Sequence, residues 1–93
     1  MFDGAVLFEL KATHGFPLDF ALDRIINQRG CAVDWVGFIE AARSNKWWDF
    51  QTYKVLQEGL LDAGLPRGMA REIELRFQRY VLKYPHPAME EVA

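Results

Sequence analysis

The chain has little of what small active sites are usually built from. Cys31 is the sole cysteine, His14 and His86 are the two histidines, and Ser44 is the sole serine. One thiol excludes an internal disulfide and a four-thiolate zinc site. His14 has no Cys, His, Asp or Glu three or four residues away, the spacing of a helical metal pair, so no metal is expected. A serine nucleophile needs a base held within hydrogen-bond reach, and no motif supplies one for Ser44. No glycine-rich phosphate loop is present, so no nucleotide cofactor is implied. Positive charge is not in excess either: 11 Lys and Arg stand against 13 Asp and Glu, a formal net charge of −2. Any contact with nucleic acid must then use a local patch rather than a global field. Long apolar runs are missing as well. None approaches the roughly 18 uncharged residues of a membrane span, and Asp3 stands where a secretory signal carries positive charge. A cytoplasmic location and a chain without an enzyme active site are the expectations.

What the chain does have is apolar mass. Of its 93 residues, 51% are hydrophobic and 14% aromatic, with three Trp and seven Phe. That is enough apolar surface to offset ordering entropy in one domain spanning residues 1–93.

Start and stop signals divide the chain into helices. Asp3 is an N-cap for a first helix running to about Thr13. The stretch His14-Gly15-Phe16-Pro17 then turns a corner, because Gly15 permits positive φ and Pro17 forces Phe16 out of helical geometry. A second helix runs from Leu18 or Asp19 to Arg29, with Leu22, Ile25 and Ile26 on one face, and Gly30 ends it. Cys31 is expected to fold back on Ile26. Asp34 caps a third helix, with Val33 and Phe38 at hydrophobic-staple spacing and Trp35, Phe38, Ile39 and Ala42 along one face. Asp49 reads as the cap of a fourth, with Trp48 and Tyr53 at staple spacing, closed by Gly64 and by Leu65 against Leu60. Pro66 reads as the first residue of a fifth helix ending near Lys83, and residues 86–93 as a frayed tail. No segment alternates apolar and polar residues as a half-buried strand does. The prediction is an all-α bundle of about five helices, two of them in residues 49–84.

The stretch from Phe8 through Phe16-Pro17-Leu18-Asp19, with Gly4 before it and Gly30, Val33-Asp34 and Gly37-Phe38 after it, resembles a segment of alanyl-tRNA synthetases. In that family a helix ends in an Asp-Thr-Tyr-Gly-Phe-Pro turn, followed by an Asp-Leu helix start and an Asp-x-x-Gly-Phe helix. The resemblance covers about residues 3–43. It implies a place in the helical region that helps bind the tRNA acceptor stem, not in the catalytic core. Ligase chemistry there belongs to an antiparallel sheet with its own ATP-binding arginines, for which an all-helical chain of this length has no room. Two positions depart from the family: Ala12 replaces the Asp and His14 the Tyr. The resemblance gives that Asp a part in reading the acceptor-stem wobble pair, and a methyl group accepts no hydrogen bond from a base edge.

The fifth helix adds a second signal. Met69, Ala70, Ile73, Phe77, Tyr80, Val81 and Tyr84 fall on one face and read as core. Arg67, Arg71, Arg79 and Lys83 fall on the other, with Leu75 and Leu82 among them. A basic stripe suits phosphates, and with Lys11 and His14 it makes the candidate RNA-binding set. Leucines inside it suit a protein partner or self-association instead, with Trp47 or Trp48 contributing. Of the two tryptophans, one reads as core and one as partly exposed. Asp19 and Asp23, one turn apart beside Arg24, read as surface charge. Two functions stay open: a non-catalytic protein binding tRNA or other RNA, and a helical adaptor of phage or bacterial regulatory type with no RNA role.

Overall fold

Each of the five stretches that carries both a start and a stop signal is a helix in the computed structural model, which describes residues 1–86. They are α1 (Gly4–Ala12), α2 (Leu18–Leu22, continued as a π-helix over Asp23–Gln28), α3 (Trp35–Ser44), α4 (Asp49–Asp62) and α5 (Arg67–Lys83). Asp3 caps α1 by accepting from the Ala5 and Val6 amides, and Asp34 caps α3 by accepting from the Gly37 amide. Gly15, Gly30 and Gly64 take φ values of 66°, 62° and 67°, the left-handed conformation in which a Cβ is penalised. Among the described residues the extended structure is a lone parallel bridge between Phe2 and Val33, which holds the starts of α1 and α3 together. The protein is an all-α bundle.

The packing follows from small and large residues placed opposite one another. A Cβ built on Gly4 would overlap the Asp34 carbonyl oxygen and the Phe38 amide, so only glycine lets α1 lie so close to α3. Leu18 sits on the bare backbone of Gly59 and joins α2 to α4. Trp47, Phe8, Phe38 and Trp35 form a run of edge-on ring contacts with centroids 5.1–5.7 Å apart. Helix α5 covers the other side of the core through Ile73 and Phe77, touching α3 and α4 but not α1.

Four expectations need correction. Asp49 is not the cap of α4. Trp48 holds that position without a side-chain bond, and Asp49, one residue later, is buried because Arg43 binds it from α3. Pro66 stands just before α5 rather than inside it. Met69 and Tyr84, read as core, are 41% and 50% exposed at the two ends of α5, Met69 on the rim of an open cavity it shares with Ile26 and Trp35. The second helix does not stay α-helical to Arg29: from Asp23 it widens to π geometry, and Cys31 N–H closes it on the Ile25 carbonyl at 2.9 Å. Cys31 itself is half-buried. Of the tail expected to fray, residues 87–93 lie outside the described residues; His86 is half-buried, its ring 6.5 Å from that of Trp48.

Candidate nucleic-acid interface

The corner between α1 and α2 is built by Gly15. Its positive φ reverses the chain so that Phe16 N–H donates to the Leu10 carbonyl at 2.8 Å. That bond leaves Lys11 half-buried at the end of α1 and His14 fully on the surface. Phe16 and Phe20 are held with ring centroids 6.1 Å apart and are 38% and 58% exposed. Two large rings turned toward solvent at one corner are unusual unless something covers them.

The π-helix and the residue that caps its end supply the charge for this corner. In an α-helix, residues five apart lie about 140° from one another around the axis. In a π-helix the i→i+5 bonding brings them onto one face. The geometry is visible in Asp23, whose carboxylate accepts from Gln28 Nε2, five residues on, at 3.0 Å and from Asn27 Nδ2 at 2.9 Å. These two hydrogen bonds, Asn27 first, hold the Asp23 carboxyl below its ordinary pKa. Asn27 Nδ2 also donates to the Ala63 carbonyl at the end of α4. Arg24 and Arg29, likewise five apart, both line one open cavity of about 250 Å³ with Leu10, Phe16 and Ile25. Neither arginine has an ion-pair partner among the described residues, nor do Lys11 and His14.

The expected site therefore divides. Lys11 and His14 belong to this corner. Arg67, Arg71, Arg79 and Lys83 are all exposed on α5, a helix that does not touch α1. Arg67 and Arg71 line a groove between α4 and α5 that Glu58 and Glu74 also line. Lys83 lies over the ring of Tyr84, 5.5 Å from its centroid. Of the residues assigned to a partner interface, Leu82 is 80% exposed, Leu75 is half-buried, Trp47 packs on Phe8 and Trp48 is 37% exposed.

The chain resembles part of a ligase. It is 40% identical over 65 residues, 69% of its length, to an alanine–tRNA ligase of Nitrosospira multiformis. It spans 7% of the length of that relative. The similarity is thus longer than the stretch Asp3–Arg43 but remains a small piece of a much larger protein. No family model matches the chain, and no solved structure matches it.

Ala12, where the resemblance leads one to expect an acid, is exposed at the end of α1, close to Lys11 and His14. Among the described residues no group of three or more His, Cys, Asp or Glu is placed to hold a metal ion, and no helix is long and apolar enough to cross a membrane. Sequence reasoning missed Arg24, Arg29 and Phe20. One signal for Phe20 was present, since it falls off the Leu22, Ile25 and Ile26 face of α2 and so cannot be core with them. For the arginines there was none, because a spacing of five puts them on different faces of the α-helix that the pattern predicts.

Proposed function

We propose that this chain is a non-catalytic RNA-binding module whose partner is tRNA or an RNA like it, bound at the α1–α2 corner. One observation carries the reading. Arg24 and Arg29 line one cavity with the exposed ring of Phe16, and Lys11 and His14 flank the same turn, none of the four with an ion-pair partner among the described residues, in a part of the chain that resembles an alanine–tRNA ligase. Cations contact phosphates and exposed aromatics contact bases, and the two together are the usual composition of an RNA surface. The α5 stripe is a weaker candidate, because Glu58 and Glu74 beside Arg67 and Arg71 repel a phosphate backbone. With Ala12 in place of an acid, we expect no selection for alanine tRNA by its wobble pair.

The test is a fluorescence-anisotropy titration of the whole chain with alanine tRNA and an unrelated tRNA at low and near-physiological salt. Micromolar binding that weakens with salt, and by similar amounts for the two tRNAs, is the expected result. An absence of binding at low salt would overturn the assignment.

A second reading has its own observation: Leu82, four-fifths exposed on α5, fits a protein partner or a second copy. Light scattering decides its self-association form, which requires a dimer that a Leu82→Glu substitution dissociates.

A further inference from the structure

We infer that the α1–α2 corner takes an unpaired nucleotide, its base against the Phe16–Phe20 pair and its phosphate between Arg24 and Arg29. The inference rests on the RNA-binding reading and narrows it to one kind of RNA.

The rings favour a base that is out of the stack. Phe16 lines the cavity and Phe20 stands outside it, 6.1 Å away and inclined at 39°, so the pair offers one face inside the cavity and one beside it. A base stacked within a duplex has no free face to give them, and a duplex presents phosphates and groove edges instead. A base out of the stack has a free face. The cavity, at about 250 Å³, holds a single ring system rather than a larger ligand.

The arginines favour an anionic group beside that base. Arg24 in the π-helix and Arg29, the residue that caps its end, both line the cavity, while the nearby Asp23 carboxylate is already bound by Asn27 and Gln28. Two guanidinium groups without an ion-pair partner among the described residues, beside an apolar slot, match a ligand with a planar apolar body and an anionic end. An unpaired nucleotide has that form, and a blunt helix does not. The α5 stripe lacks this pairing of features: the ring nearest its cations, Tyr84, already lies under Lys83.

The experiment compares a labelled blunt RNA hairpin, its loop replaced by a non-nucleotide ethylene-glycol linker so that every base is paired, with the same hairpin carrying a 3′ overhang of about four unpaired nucleotides, titrated by anisotropy at low salt. The wild-type chain should bind the tailed hairpin roughly tenfold more tightly, within the range that stacking on one aromatic ring contributes. Phe20→Ala should reduce that ratio to about twofold or less, and so should Arg24→Gln combined with Arg29→Gln. Both variants alter exposed side chains, and circular dichroism checks that they remain folded. Equal affinity of the wild type for the two hairpins, or a preference that survives Phe20→Ala, overturns the nucleotide site while leaving RNA binding in place. Failure to bind either hairpin, or tRNA, removes both readings together.

Discussion

Arg43 grips Asp49 through two parallel hydrogen bonds, Nε to Oδ1 at 3.0 Å and Nη2 to Oδ2 at 2.9 Å, across the corner between α3 and α4. The two side chains are 9% and 10% exposed, so Asp49 depends on Arg43 for its charge to be buried, and Arg43 on Asp49 first and on Glu40 at 3.6 Å second. The pair also suits both helices, with a cation in the last turn of α3 and an acid in the first turn of α4. Removing Asp49 takes both close hydrogen bonds from Arg43 and leaves it the longer Glu40 contact at 3.6 Å and the Tyr80 ring, while removing Arg43 leaves Asp49 buried without its cation. Asp49→Ala should destabilise the fold by about 3 kcal/mol, read as a lower urea midpoint with an unchanged slope. The double change Arg43→Met with Asp49→Leu should cost clearly less than the sum of the two single losses, because it removes the stranded charge. Additive losses would show that the two groups act independently.

Tyr80 ties α5 to α3 by donating its hydroxyl proton to Glu40 Oε1 at 2.5 Å. That hydrogen bond, reinforced by partial burial, pushes the phenol pKa up to about 12. The folded state therefore holds the protonated phenol more tightly than the unfolded chain does. The contribution of this bond to stability is complete below about pH 10, the ordinary tyrosine value, and is lost as pH rises through the folded value. An ultraviolet titration of the three tyrosines should show one ionising near 12, and Glu40→Gln should bring it down toward 10. Three tyrosines titrating together in the wild type would mean that Glu40 is not holding the proton.

The helices were legible in the sequence wherever a local rule decides them. Asp3 and Asp34 are the caps that their positions predict, and Trp35, Phe38, Ile39 and Ala42 are the buried face that their spacing predicts. Apart from the one-residue shift at Pro66, the failures share an origin in contacts outside the helix being read. Asp49 has the chemistry of a cap, but Arg43 offers two charge-assisted bonds and takes it. Met69 continues the apolar stripe of α5, but that stripe is longer than the surface that α3 and α4 cover. The π-helix was illegible for the same reason. Asn27 binds Asp23 and the Ala63 carbonyl together, and nothing in the local sequence announces Ala63. Because Arg24 and Arg29 fall on different faces of the regular α-helix that the pattern predicts, their meeting at one cavity stayed hidden as well.

Gly4 and Gly68 should respond in opposite directions to the same substitution. A methyl group at Gly4 would meet the backbone of α3, which has nowhere to move without breaking the Phe2–Val33 bridge and the Asp34 cap. Gly4→Ala should cost about 3 kcal/mol, at the upper end of overpacking losses because the neighbouring atoms are main chain. Gly68 lies in the first turn of α5 with nothing within 4 Å of a built Cβ and an ordinary negative φ. Gly68→Ala should stabilise by about 0.5 kcal/mol through reduced unfolded-state entropy. Thermal unfolding of the two variants beside the wild type measures both, and a Gly4→Ala protein as stable as the wild type would refute the close approach of α1 to α3.

The salt dependence of RNA binding separates the two cationic surfaces. Each phosphate neutralised adds roughly 0.7 to 0.9 to the slope of log affinity against log salt. Arg24→Gln with Arg29→Gln removes two cations from the corner and should lower the slope by about 1.5. Arg79→Gln with Lys83→Gln removes two cations from α5, a helix without contact to α1, and should change the slope by less than about 0.5. The double variants have the same change in net charge, so long-range attraction weakens equally in both, and the difference between their slopes reports direct contact alone. The reverse order of effects would move the RNA onto α5 and leave the aromatic corner for another purpose. Equal effects would require a bound RNA long enough to reach around α3 and α4 to both surfaces, and a shortened hairpin would then lose the α5 contribution first.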